Sequence, residues 1–216
     1  MSQIGFHAFL PDNILKSKAG IVANLNDYFD EILENLAQDI IFDGYDPAEL
    51  PDETLSLLIL GKITIDKGWL RDLSTISRYR DIELSYSSAE KKLELNFAIQ
   101  FEFLQFTYDY VTELPLMTIR GEVEGKVEHV KIESALSFDF HTYHVALDYF
   151  NIMDTGKISI KFSGEGLVDW VTNAMTSVIT TFLHPLILGI VQNVTKGPLQ
   201  NSIDAINEAI NNLINQ

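Results

Sequence analysis

The sequence predicts an α+β fold in which a long, highly curved antiparallel sheet wraps a long C-terminal helix, with an amphipathic helix at the N-terminal side. Three observations carry this expectation. Apolar residues recur at helical spacing early in the chain and at every second position through its middle. Towards the C-terminus they cover most of the circumference of a helix. A one-sided sheet and an apolar rod each need a partner surface, and wrapping one around the other buries both.

Residues 1–18 read as an N-terminal tail and 19–41 as a helix. Ile21, Leu25, Tyr28, Ile32, Leu36 and Ile40 form its apolar stripe, widened by Phe29 and Leu33, while Asp27, Asp30, Glu31 and Glu34 take the polar side. Gly44 and Pro47 stop the helix.

From 57 to 162 the period becomes two. Leu93, Leu95, Phe97, Ile99, Phe101 and Phe103 alternate with Glu94, Asn96, Gln100 and Glu102, then the beat moves to Leu104, Phe106, Tyr108 and Tyr110. No turn residue marks that slip, so it reads as a β-bulge. A strand over 91–111 would extend about 70 Å, which requires strong curvature in a compact fold. The beat also slips between Val127 and Val130 and between Phe140 and Tyr143, suggesting one coiled meander. Gly121 and Gly125 fall on the apolar beat, where they are expected to admit a closely packed helix.

Residues 166–215 return to helix. Leu167, Trp170, Val171, Met175, Ile179, Phe182 and Leu183 begin an apolar run to Val194, whose breadth marks a buried helix about 43 Å long. Pro185 should kink or interrupt it. Gly197-Pro198 should end it and open a last helix with a stripe of Leu199, Ile203, Ile206, Ile210 and Leu213.

The 216 residues contain no linker and read as a single domain over 1–216. A formal charge of −16 argues against nucleic acid, whose phosphates need clustered Lys and Arg. There are no cysteines, hence neither disulfides nor thiolate sites. No uncharged apolar stretch reads as a bilayer span, and Met1 opens no signal peptide. The sequence therefore describes either a cytosolic chain or a mature form with an added Met.

Catalytic signatures are missing. There is no Gly-x-Ser-x-Gly elbow, His-Glu-x-x-His pair or phosphate-cradling loop, so no enzyme, cofactor or metal is expected. His141 and His144 would face opposite sides of a regular strand, which favours solvated histidines over a metal pair. His184 reads as a partly exposed helix residue. Asn193-Val194-Thr195 is a possible N-glycosylation sequon at Asn193. Trp69 could line a cavity mouth or plug a sheet edge.

The element order over 19–215 resembles that of the group 7 mite allergens. Asp46-Pro47-Ala48-Glu49-Leu50-Pro51-Asp52 resembles the D-P-x-x-x-P-D stretch after their first helix, and the run from His184 through Gly197-Pro198 resembles their C-terminal region. Related groups are the takeout and juvenile-hormone-binding proteins, within the superfamily of bactericidal/permeability-increasing and lipopolysaccharide-binding proteins. The N-terminal cysteine pair of takeout and hormone-binding members is missing, which places the chain nearer the group 7 branch.

This resemblance implies a secreted carrier with an elongated apolar cavity for a lipid, fatty acid, terpenoid or carotenoid. The alternative is a secreted lipid-pattern or protein-interaction factor with no essential ligand. On periodicity alone the inward residues would fill an ordinary core. The resemblance instead implies a cavity lined by Phe97, Ile99, Phe101, Phe103, Phe106, Ile119, Val123, Phe138, Phe140, Trp170, Met175, Ile179, Phe182 and Leu183.

Overall fold

The computed structural model describes residues 15–17, 20–23, 25–57 and 60–214. Most of the expected N-terminal tail lies outside these residues. Strands β1 (Leu15–Ser17) and β2 (Gly20–Ala23) precede helix α1 (Asn26–Phe42). Seven β segments follow: β3 (Ala48–Leu50), β4 (Glu53–Ser56), β5 (Lys62–Arg71), β6 (Ser77–Arg78), β7 (Glu83–Ser87), β8 (Lys92–Leu114) and β9 (Met117–Asp139). Strand β10 (His144–Phe162) and helix α2 (Asp169–Ile214) complete the chain.

Helix α1 therefore starts later than its periodicity suggests. Val22 and Ala23 pair instead with Ser85 and Leu84 of β7. Asn26 anchors the helix start: its Nδ2 donates to Asp81 Oδ1 at 2.9 Å, and its Oδ1 accepts the Ile82 N–H at 2.9 Å. At the other end Tyr45 N donates to Ile40 O and Gly44 N to Ile41 O, with Gly44 at φ +78°. This reciprocal pattern terminates a helix through a left-handed residue that glycine adopts without a Cβ clash.

The ten strands among the described residues form one antiparallel sheet, which starts before residue 57 because β3 and β4 pair with β5. Strand β8 is its spine. One edge of β8 pairs with β9, and the other with β7, β6 and β5 in turn. The expected bulge in β8 is replaced by a paired slip. Strands β8 and β9 hold one register from Lys92↔Asp139 to Leu114↔Met117, and only Glu102 and His129 drop out of it. His129 lies at φ +61° and Gly156, at the same level on β10, at φ +77°. Both inner faces change parity together, so the sheet bends along one line without losing pairing. The third expected slip is simply the hairpin turn over 140–143. Unpaired register shifts occur elsewhere, in β10 and at Asp66/Trp69 in β5.

Helix α2 runs unbroken through both Pro185 and Pro198, so no helix ends at Gly197. Its buried stripe, Val171, Met175, Ile179, Leu183, Ile187 and Val191, repeats every fourth residue. At 3.6 residues per turn each such step advances about 40°, so the contact line travels roughly 200° around the helix. A flat sheet could not follow that line; a coiled one does.

Beyond Pro198 the helix is held by Ile203 and by Asn207, whose amide accepts from Val145 N at 2.8 Å and donates to Val145 O at 2.9 Å. These bonds satisfy the one pair of backbone groups that Val145 presents on β10, a sheet edge. The helix is less enclosed than its composition suggests. Its most apolar window is only 28% buried, although by length and hydropathy it could cross a membrane. The stripe from Val171 to Val191 packs into the core, while Ala174, Val178, Phe182, Leu186, Leu188 and Ile190 around it are only partly covered.

The glycines serve strands rather than a helix. A Cβ on Gly125 would stand 2.1 Å from the Phe106 ring, and one on Gly121 1.8 Å from the Ser163 carbonyl oxygen.

Candidate functional site: a cleft between two helices and the sheet

Helix α1 is held against the sheet by few but specific contacts. Arg78 Nε and Nη2 donate to the two carboxylate oxygens of Asp30 at 2.8 and 2.9 Å. These donors hold the Asp30 carboxyl below its usual range, against the opposing effect of burial. Phe29 packs on Phe97 of β8, while Leu33 and Ile40 are buried. The stripe facing the sheet is thus Phe29, Leu33, Leu36 and Ile40; Tyr28, expected within it, is 62% exposed.

Just after α1, the Asp46 carboxylate accepts the N–H groups of Asp72 and Ser74 and the Ser74 hydroxyl. Asp52 Oδ1 accepts Lys67 N–H, and Pro51 O accepts the Tyr108 hydroxyl. The Asp46–Asp52 motif is therefore a clamp around β5. It fixes the segment that follows α1.

Between α1, the sheet and the C-terminal part of α2 lies a cleft of about 460 Å³. Helix α1 lines it with Phe29, Ile32, Leu33, Asn35, Leu36 and Asp39; the sheet contributes Leu95, Phe97, Ile99, Leu136 and Phe150. Thr195, Pro198, Leu199 and Ser202 of α2 close it. The floor is a set of cross-strand neighbours: Leu95 faces Leu136, while Phe97 and Phe150 flank Ser134, which does not itself line the cleft. Ser134 is fully buried, and its Oγ has no hydrogen-bond partner. The Thr195 hydroxyl is already engaged by Val191 O at 2.7 Å.

A second cleft of about 240 Å³ adjoins the first and shares Leu36, Asp39 and Pro198 with it. Its other lining residues include Asp43, Tyr45, Asn193 and Asn201. The sequon asparagine Asn193 thus lines this second cleft, which is mixed in character because Ile40, Val194 and Gly197 share its wall.

Of the residues expected around a cavity, Phe97 and Ile99 line the cleft. Phe101, Phe106, Ile119, Val123, Met175, Ile179 and Leu183 are at most 1% exposed and fill the core instead. Phe182 packs partly buried against that core. Phe103 turns outward, because the paired slip precedes it, and Lys126 Nζ sits 5.1 Å from its ring. Phe138 and Phe140 pack edge to face at the β9–β10 hairpin. Trp170, 53% exposed, stands near the start of α2. Trp69 lies on the outer face with Thr107 and Glu124, away from this cleft. His141 is exposed in the hairpin, where its backbone N–H donates to Asp139.

The residues missed from sequence come from α1 and from the Pro198 turn of α2. Pro198 lacks an N–H but stands within the continuous helix α2. The residue pair was visible in the sequence as Gly197-Pro198. Its position opposite α1 was not.

The Group 7 allergen family model matches residues 24–206. No curated protein sequence matches the chain. Among solved structures, Takeout 1 of Epiphyas postvittana is similar at 13% identity and a TM-score of 0.43, over 86% of this chain and 93% of that one. A lipopolysaccharide binding protein is similar at 16% identity and a TM-score of 0.55, over 88% of this chain. Only 42% of that protein is covered, so the chain spans less than half its length. The latter likeness shows the shared fold of a large antiparallel sheet around a long helix. With the family match running from just before α1 well into the final turns of α2, the chain belongs to the Group 7 allergen family.

Proposed function

We propose that this protein is a non-enzymatic, secreted carrier of an apolar small molecule, held in the cleft between α1, α2 and the sheet. The observation that carries the reading is the cleft itself. Its 460 Å³ falls within the usual range of small-molecule sites, and its walls are dominated by Phe29, Ile32, Leu36, Phe97, Phe150 and Leu199. Ile32 is 42% exposed despite its neighbours because it faces this cleft. Each ligand methylene buried there would contribute about 0.8 kcal/mol before the entropy of association is subtracted. Few polar groups fix orientation, so chain length should matter more than chain detail. The family resemblance and the lipopolysaccharide-binding relative support a lipid-like ligand and a location outside the cell.

The test is fluorescence titration with the neutral apolar probe N-phenyl-1-naphthylamine, together with native mass spectrometry of the purified protein. Saturable binding is expected, and Ser202→Trp, which fills the cleft from an exposed position, should abolish it without unfolding the protein. A protein that binds no apolar probe and carries no extractable lipid would leave this reading without support.

A further inference from the structure

We propose that the two adjoining clefts select a single-chain amphiphile whose head group donates hydrogen bonds and carries no negative charge: a long-chain amine or alcohol rather than a fatty acid. This rests on the carrier reading above and specifies the ligand of the same site.

The clefts meet at Leu36, Asp39 and Pro198. One side is apolar and suits a hydrocarbon chain. The other carries Asp39, Asp43, Asn193 and Asn201 and suits a polar head. Carboxylates only accept hydrogen bonds, so they complement donors such as an ammonium or a hydroxyl. Among the described residues neither Asp39 nor Asp43 has an ion-pair partner. No Lys or Arg lines either cleft. Lys196 Nζ lies 5.8 Å from the ring of Phe150, at the hydrocarbon side of the paired clefts, and Lys196 is not among the residues lining the head-group side.

A fatty carboxylate placed with its chain in the large cleft would set its charge beside Asp39 and Asp43. Like charges brought into one cleft disfavour one another, and the net charge of −16 adds a long-range repulsion. An ammonium in the same position gains what the carboxylate loses. A hydroxyl head gains hydrogen bonds without either charge effect.

Displacement of N-phenyl-1-naphthylamine by palmitylamine, monopalmitoylglycerol and palmitate, which share one chain, tests this. The amine and the monoglyceride should displace the probe at about one tenth of the palmitate concentration, a ratio set by exposed charge interactions. Raising the ionic strength should narrow the amine-to-palmitate ratio. In Asp39→Asn/Asp43→Asn that ratio should fall towards one. Palmitate displacing as well as the amine would overturn the head-group assignment while leaving the carrier reading intact, as would a ratio insensitive to salt or to the double substitution. Failure of the probe to bind at all would overturn both.

Discussion

The Phe29 ring of α1 lies 5.0 Å from the Phe97 ring of β8, with the planes inclined by 47°. Both rings also line the cleft, so the contact that docks α1 on the sheet is itself part of the site. Phe29→Ala should therefore lower stability by about 2 kcal/mol, below the usual cost for a fully buried phenylalanine because Phe29 is only partly buried. It should also weaken probe binding several-fold. Chemical denaturation and probe titration on one sample measure both, and a stability loss with binding unchanged would separate the contact from the site.

The Asp30–Arg78 pair predicts a pH-dependent component of stability. Its main cause is the hydrogen bonding from Arg78, which lowers the folded-state pKa of Asp30. A carboxyl depressed on folding contributes stability above its unfolded value and loses it as pH falls through the folded one. The Asp30 side chain is 44% exposed, so solvent screening limits the contribution to about 0.5 kcal/mol. Asp30→Asn should lower the thermal midpoint slightly at neutral pH, and the two midpoint curves should merge in strong acid. A difference that persisted there would point to packing instead.

Asn207 should be intolerant of an isosteric apolar residue. Its amide bonds both backbone groups of Val145 on the edge strand β10. Asn207→Leu would leave those groups unpaired beneath α2, at about 1–3 kcal/mol. Faster hydrogen exchange at the Val145 amide would localise the loss.

Three glycine-to-alanine substitutions should rank by what the new methyl meets. At Gly44 it meets no atom within 4 Å, so only the left-handed backbone at φ +78° opposes it, costing about 1 kcal/mol. At Gly125 it meets the Phe106 ring, which smaller side chains could relieve, together with the Ser159 carbonyl at 2.7 Å. At Gly121 it meets the Ser163 carbonyl oxygen, which cannot turn aside. Thermal midpoints should fall in the order Gly44→Ala, Gly125→Ala, Gly121→Ala, with the last most damaged. Phe106→Leu should partly rescue Gly125→Ala and leave Gly121→Ala unrescued.

Periodicity exposed most of the architecture because the face a residue presents depends on its immediate neighbours in the chain. The alternation from Leu93 to Tyr110 marked β8, and even its phase slip was visible. The slip's nature was not: a bulge and a paired bend look alike in one strand. They differ only in whether β9 slips opposite, at His129 against Glu102. Helix α2 was equally legible as apolar. The six-residue stripe that is buried emerged only once the sheet coiled along one side of it.

By itself, then, the sequence determined the order and type of the main elements, the one-sidedness of the sheet and the absence of catalytic signatures. Which phenylalanines face a ligand cleft and which fill the core was decided by tertiary structure. Phe97 and Phe101 share a strand and a face, yet one lines the cleft and the other is sealed beneath α2's side of the core. The difference comes from where α1 docks, through Phe29 on Phe97, Asn26 on Asp81 and Ile82, and Asp30 on Arg78 across 48 positions of chain. Local spacing carries no record of such a contact, because its energy is gained only when distant segments meet.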